Sequence, residues 1–291
     1  MNMYSSSADS TCRHYRQPTI SAVQTLLEQG SGRTNEDILL QAGNLYGVFD
    51  GATSLGKSVP VQGKTGGKLA AETAAKTFSC NGGTLSRLGC LANRNIRQLM
   101  ESSGVDIKYR QNVWSTSAAI VRIDGDELEW FQVGDSLALA LYENGSYSLL
   151  AEPINHDRDT LCLWKEIGLI STGTIQENLA DQILKVREGM NIHYGVMNGE
   201  PKALDFFQHG RIPLAGVTDI IVFTDGLFLP QTDPDQPADM ETFVHLYHQG
   251  GLQLVHRLIR EIQKGDPRCL NYPRFKKHDD IAAIALSFHE A

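Results

Sequence analysis

Four short apolar runs in this chain each meet acid at one end: YGVFDG at Asp50, FQVGDS at Asp135, IIVFTDG at Asp225 and HDDIAAIAL at Asp279. Runs of this length and composition read as strands, so the sheets they build must accommodate carboxylates at their edges. Taken singly, an Asp-Gly after a strand is more often a turn than a ligand, because Asp and Gly are the commonest turn residues. Gathered at one end of a sheet, unpaired carboxylates repel and desolvate one another unless cations neutralise them. Oxygen-only donors without His or Cys point to a hard ion such as Mg²⁺ or Mn²⁺ and disfavour zinc.

A chain of 291 residues fits one large domain, read here as a polar lead-in over residues 1–18 and a single domain over 19–291. Strands are expected at Leu45 to Phe49, Ser117 to Arg122, Leu128 to Val133, Ala138 to Tyr142, Ile220 to Phe223 and Ile281 to Phe288. Apolar spacing of three and four predicts helices over Gly66 to Phe78, Thr84 to Ser102 and Met240 to Lys264. Asp124-Gly125-Asp126 and Glu143-Asn144-Gly145 read as hairpin turns, which makes an antiparallel meander. The fold class expected is therefore α+β, antiparallel sheets covered by helices. Leu229 to Asp239, with three prolines, reads as an exposed loop leading into the last helix.

The formal net charge of -8 disfavours nucleic acid as a partner, since affinity for a phosphate backbone comes from clustered Lys and Arg. No apolar run approaches the roughly 20 residues that cross a bilayer, and the first residues lack the basic start and apolar stretch of a secretory signal. The five cysteines, Cys12, Cys80, Cys90, Cys162 and Cys269, are scattered and form no CxxC pair. That pattern suits buried free thiols in a reducing cytoplasm.

Two motifs invite other chemistries and fail on their own terms. GDSL at Gly134 to Leu137 suggests an esterase with Ser136 as nucleophile, but it lies mid-chain, expected inside a hairpin, where Ser136 reads as a turn residue. QGKTGG resembles a phosphate-cradling loop, yet Ser58 stands where the first glycine is needed; Lys64 and Thr65 read as the solvated start of a helix. The nine histidines show no ligand spacing, and only His278, beside Asp279, is expected near the acids. In GRTNED, Arg33 precedes Glu36 and Asp37; such neighbours are commonly a surface ion pair, although a guanidinium is also a natural clamp for a phosphoryl group.

Taken in order, GRTNED, YGVFDG, STSAAIV with VGDS, FTDG and HDDIAAIAL resemble the metal-dependent protein phosphatases of type 2C, divergent bacterial members in particular, from about Ser21 to the end. The resemblance implies a two-sheet antiparallel β-sandwich flanked by helices, with a metal cleft at one end of the sheets. It implies that Asp50 bridges two divalent cations, Mn²⁺ or Mg²⁺, and that the Gly51 carbonyl binds the second. Asp225 and Asp279 complete the first, Glu36 and Asp37 act near the second directly or through water, and Asp135 matches the acid of a weaker third ion. Arg33 takes the phosphate-holding role, and Asp280 stands where the family usually has Asn. Ala52 replaces a frequent His, Leu137 replaces an Arg after GDS, and Arg33 sits one position closer to the acids than in the common pattern. Glu152 to Gly173 looks like the substrate-facing region, with Glu166, Ile167 and Gly168 echoing its pattern, and Tyr194 to Leu214 resembles a stretch of divergent members.

The activity implied is hydrolysis of phosphoserine and phosphothreonine in proteins by a metal-bridging water, in a cytoplasmic monomer engaged in signalling. The alternative is a phosphatase-fold binding or regulatory domain with little or no turnover, which the retained acids argue against.

Overall fold

The computed structural model describes residues 19–52, 61 and 63–289. The expected lead-in over residues 1–18, together with Cys12 and Ser58, lies outside the described residues. The strands are β1 (Thr19–Glu28), β2 (Ile38–Ala42), β3 (Leu45–Ala52), β4 (Ser115–Asp124), β5 (Glu127–Val133), β6 (Leu137–Tyr142), β7 (Tyr147–Leu149), β8 (Gln208–Pro213), β9 (Val217–Phe223) and β10 (Ile281–His289). The helices are α1 (Gly66–Ser79), α2 (Leu85–Ser102), α3 (Arg158–Ile167), α4 (Ile175–Asn178), α5 (Ala180–Glu188) and α6 (Met240–Gly265). Two five-stranded sheets form, ordered β1-β10-β9-β6-β7 and β2-β3-β4-β5-β8, and their named strand pairs run antiparallel.

Strand alternation sorts the side chains into layers, because successive residues point to opposite faces. Tyr46, Val48, Ala119 and Val121 of one sheet pack with Ala138, Ala140, Ile220, Val222, Ala282 and Ile284 of the other. The residues between them turn outward: Leu45, Phe49, Ala118 and Ile120 meet α1 and α2, while Leu137, Leu139, Ile221, Phe223 and Ala283 meet α6. The result is the expected sandwich with helices on both outer faces. Strand β10 is covered on both sides, which explains why its apolar run is unbroken.

Three expectations are corrected. The meander holds within β4–β5 and β6–β7 but breaks between β5 and β6, which belong to different sheets. Gly134, at φ 79°, carries the chain across, and β6 pairs instead with the distant β9, a partnership that no local turn signal encodes. The last helix is interrupted at Gly250 and Gly251. Gly251 adopts φ 65°, and a Cβ there would lie 2.3 Å from Gln24 Oε1. That same oxygen accepts from the Leu252 N–H at 3.1 Å, so β1 caps the second half of the helix. Lastly, the described cysteines are free thiols but not uniformly buried: Cys269 is buried and Cys80 is exposed at the end of α1. No helix among the described residues is long and apolar enough to cross a membrane.

Gly226 is a close crossing of backbones. It lies three residues past the end of β9, and a Cβ at this position would meet the Asp280 carbonyl oxygen at 1.9 Å. Two acid-bearing segments, the end of β9 and the start of β10, approach through this gap. Gly226→Ala should therefore destabilise the chain by about 3 kcal/mol, the upper part of the range for overpacking, read from urea unfolding; an unchanged midpoint would mean that the two backbones separate freely.

Candidate active site

The sandwich brings the ends of many strands to one edge. Asp50 lies near the end of β3, paired with Ser117 at the start of β4. Asp135 sits in the crossing from β5 to β6, Asp225 follows β9, Asp279 precedes β10, and Asp37 precedes β2. Antiparallel order places these strand ends together, so acids far apart in sequence converge. Asp50, Gly51, Asp135, Asp225 and Asp279 line a cavity of about 290 Å³, and a neighbouring cavity of about 460 Å³ shares Asp135, Asp225 and Asp279 with it.

The electrostatics report that convergence. Burial holds the carboxyls of Asp50, Asp225 and Asp37 well above the ordinary carboxylate range. Mutual repulsion adds to it: Asp50 feels Asp37, Asp135 and Asp279, and Asp225 feels Asp50, Asp279 and Asp135. Asp37, 2% exposed, is stabilised in part by the Thr224 hydroxyl, which donates to its Oδ2 at 2.7 Å.

Backbone crossings fix the acidic segments. A Cβ on Gly51 would meet Gly67 carbonyl atoms at 2.5 Å and the Glu36 carbonyl oxygen at 2.9 Å, so glycine is required for three chain segments to meet. Asp280 stitches the β1–β2 loop to β10, accepting from the Gly30 N–H at 2.7 Å and the Glu36 N–H at 2.8 Å. The buried Glu36 accepts from the hydroxyl of Thr65, which also caps α1. Thr65 thus belongs to the helix start, as expected, while Lys64 pairs with Glu72 at 2.7 Å.

Other expected residues fall elsewhere. Arg33 is exposed and lines neither cavity. His278 bonds to Gln263 Oε1 at 2.9 Å and lines a separate surface cavity with Glu28 and Arg260. The histidine at the acids is instead His156, whose Nε2 stands 3.9 Å from Asp135 and 3.7 Å from Asp157. Its ring stacks on Tyr194 at 4.1 Å between centroids. Burial raises the Asp157 carboxyl, and it pushes the Tyr194 phenol up. His156 and Asp157 lie inside the segment read as substrate-facing, but Glu166 is exposed on α3 and lines neither cavity. Ser136 is fully buried against the Ser117 hydroxyl at 2.7 Å, a packing role rather than a nucleophile's.

One basic residue was not anticipated. Lys276 lines both cavities, and its Nζ lies 2.6 Å from Asp279 Oδ1. The surrounding acids hold its ammonium firmly charged, above the usual lysine range. Only its place three residues before Asp279 could have signalled it.

The donor chemistry of the cleft fits a hard cation, since oxygen acids press on one another there with few compensating charges. Among the described residues no group of three His, Cys, Asp or Glu side chains is arranged to hold an ion by itself. The fit is thus to ions that retain much of their water, as Mg²⁺ does.

Comparison with known proteins agrees with this geometry. The family model described as protein phosphatase 2C matches residues 29–253. No curated protein matches the chain in sequence. Among solved structures, the catalytic domain of the serine/threonine phosphatase PstP, in complex with two manganese ions, aligns with a TM-score of 0.55 at 14% identity, covering 92% of this chain and 97% of that one. PppA, a regulatory component of type VI secretion in Pseudomonas aeruginosa, aligns at 0.56 and 16%, covering 94% and 100%. The Ser-Thr phosphatase MsPP of Mycobacterium smegmatis, in complex with cacodylate, aligns at 0.52 and 16%, covering 92% and 99%. The structures share the fold, and the match over most of its length makes this chain a member of the protein phosphatase 2C family, the metal-dependent phosphatases of phosphoserine and phosphothreonine.

Proposed function

We propose that the acidic cleft is where this chain hydrolyses phosphoserine and phosphothreonine in proteins. The observation that carries the reading is the gathering of Asp37, Asp50, Asp225 and Asp279, whose mutual repulsion demands cations. In this reading Asp50 would serve both ions, Asp225 and Asp279 would help hold the first, and the Gly51 carbonyl the second. Glu36 and Asp37 would act near the second, directly or through its waters, and Asp135 would serve a weaker third. Mn²⁺ and Mg²⁺ both suit such donors, and the manganese in PstP supports the first. When bound, two divalent ions supply a nucleophile at neutral pH and positive charge opposite the phosphoryl oxygens.

The chain's own part is placement. The Thr224 hydroxyl holds the Asp37 carboxylate, and the Thr65 hydroxyl holds that of Glu36, so neither acid has to find its rotamer when substrate arrives. The larger neighbouring cavity brings Ile154, Phe228, Leu229 and Phe275 to the edge of the acids, room for residues flanking the phosphorylated one. The chain acts on phosphoproteins as a monomer in a bacterial cytoplasm, in signalling; the likeness to structures from Pseudomonas aeruginosa and Mycobacterium smegmatis supports the bacterial part of that setting.

Asp50→Asn and Asp225→Asn should each lower kcat/KM on p-nitrophenyl phosphate and a phosphothreonine peptide by at least about 100-fold, roughly 2.7 kcal/mol of transition-state stabilisation. Calorimetry should show weakened Mn²⁺ binding in both. A folded wild type that neither turns over nor binds Mn²⁺ would leave the regulatory-domain reading in its place.

Stability should depend on pH in the direction opposite to a salt-bridged acid. Raised folded-state values for Asp37, Asp50 and Asp225 mean that the native state binds more protons than the unfolded chain. Metal-free stability is then greatest below about pH 4 as far as these groups are concerned, and falls as pH rises from there through their raised values. Saturating Mg²⁺ should flatten the fall, because bound ions offset the repulsion. Urea midpoints measured across pH with EDTA and with Mg²⁺ check this; identical slopes under the two conditions would count against metal binding by these acids.

A further inference from the structure

Arg33, to which the family resemblance assigns the substrate's phosphate, is exposed and lines neither cavity. Three basic side chains do line the carboxylate cavity: His156, Arg187 and Lys276. Lys276 reaches the acids more closely than His156 does, at 2.6 Å from Asp279 against 3.7 Å and 3.9 Å. It also stands where the two cavities share their lining, beside Asp135, Asp225 and Asp279.

Charge balance asks for such a residue. Asp50, Asp135, Asp157, Asp225 and Asp279 line the cavity, and two divalent ions do not fully neutralise them. A phosphate monoester brings about two further negative charges, so the cleft without basic side chains would repel the ester it must hold. An ammonium has three N–H donors, and Asp279 is the one side-chain hydrogen-bond partner of Lys276 among the described residues. Two donors remain for a ligand in the cavity. Lysine binds phosphate well as a point charge, without the planar match that arginine requires.

Resting on the phosphatase reading above, we infer that Lys276 is the phosphate-binding residue of this cleft: held by Asp279, its ammonium donates to a non-bridging oxygen of the phosphoryl group. The competing account makes Lys276 a local ion pair that only fixes the segment before β10. The two differ in whether phosphate affinity responds to the side chain.

Titrating inorganic phosphate by calorimetry into the full chain with saturating Mg²⁺ separates them. Lys276→Met should weaken phosphate at least about tenfold, a difference easily resolved in Kd, while Lys276→Arg, which keeps the charge, should remain within about threefold of wild type. Mg²⁺ affinity, titrated separately, should not fall in Lys276→Met, since removing a cation beside the acids cannot weaken their attraction for another. Phosphate affinity unchanged by Lys276→Met, a parallel loss of Mg²⁺ binding, or a tenfold loss confined to Arg33→Ala would each overturn the assignment. Failure of the underlying phosphatase reading looks different: the wild type would lack turnover and Mg²⁺ binding, whatever Lys276 does to phosphate.

Discussion

Repulsion among carboxylates is the interaction around which the rest of this structure is arranged. A buried, unpaired carboxylate costs several kcal/mol, and here Asp37, Asp50 and Asp225 share one region with Asp135 and Asp279. The sandwich can hold them together because Asp50, Asp135, Asp225 and Asp279 ride on strands that are mostly buried. Phe49 beside Asp50, and Phe223 shortly before Asp225, are wholly inaccessible. Apolar burial contributes about 25 cal/mol per Å², so the strands supply the stabilisation that their acidic ends oppose. In the absence of ions, Lys276 and the hydroxyl of Thr224 relieve part of the strain by pairing with Asp279 and Asp37.

Holding acids close also requires backbones that come closer than side chains allow. The glycine after each of two acids serves this purpose. Gly51 lets β3 pass against Gly67 and Glu36, and Gly226 lets the turn after β9 pass against Asp280. Their sequence context looks like turn chemistry, and their physical role is crossing. Asp280 extends the same device with a side chain, bonding two N–H groups of the β1–β2 loop. Its second carboxylate oxygen does what a neutral Asn amide nitrogen could not, because both partners are donors.

Much of this was legible in the sequence, and the parts that were not share a cause. Alternation and apolar runs are local, so β3, β4, β5, β6, β9 and β10 could be read from their own residues, as could α1 and α2. Acids following apolar runs marked Asp50, Asp135, Asp225 and Asp279 for the same reason. Strand β1 escaped notice because it lies at the edge of its sheet, half solvated, with weak alternation. The break between β5 and β6 escaped because pairing with β9 is decided by the whole sheet. His156 and Lys276 escaped because a basic residue carries no periodic signal, and only the folded chain shows which of many faces the acids.

That difference explains how the departures from the family pattern coexist with an intact acidic frame. A carboxylate at the end of a buried strand is positioned by the sheet, and moving it would require shifting the register of a strand that is apolar throughout. A basic residue serving a phosphate needs only to reach the cleft from its rim, and any of several loops can deliver it. Ala52 and Leu137 stand where the family often has His and Arg, and Arg33 is exposed, yet basic groups arrive from the segment before α3, from α5 and from the segment before β10. The acidic half of the site is therefore fixed by the core, while the basic half is free to be rebuilt from the segments at its rim. A rim rebuilt in this way changes which surface can approach the cleft without altering the strand ends that carry the acids.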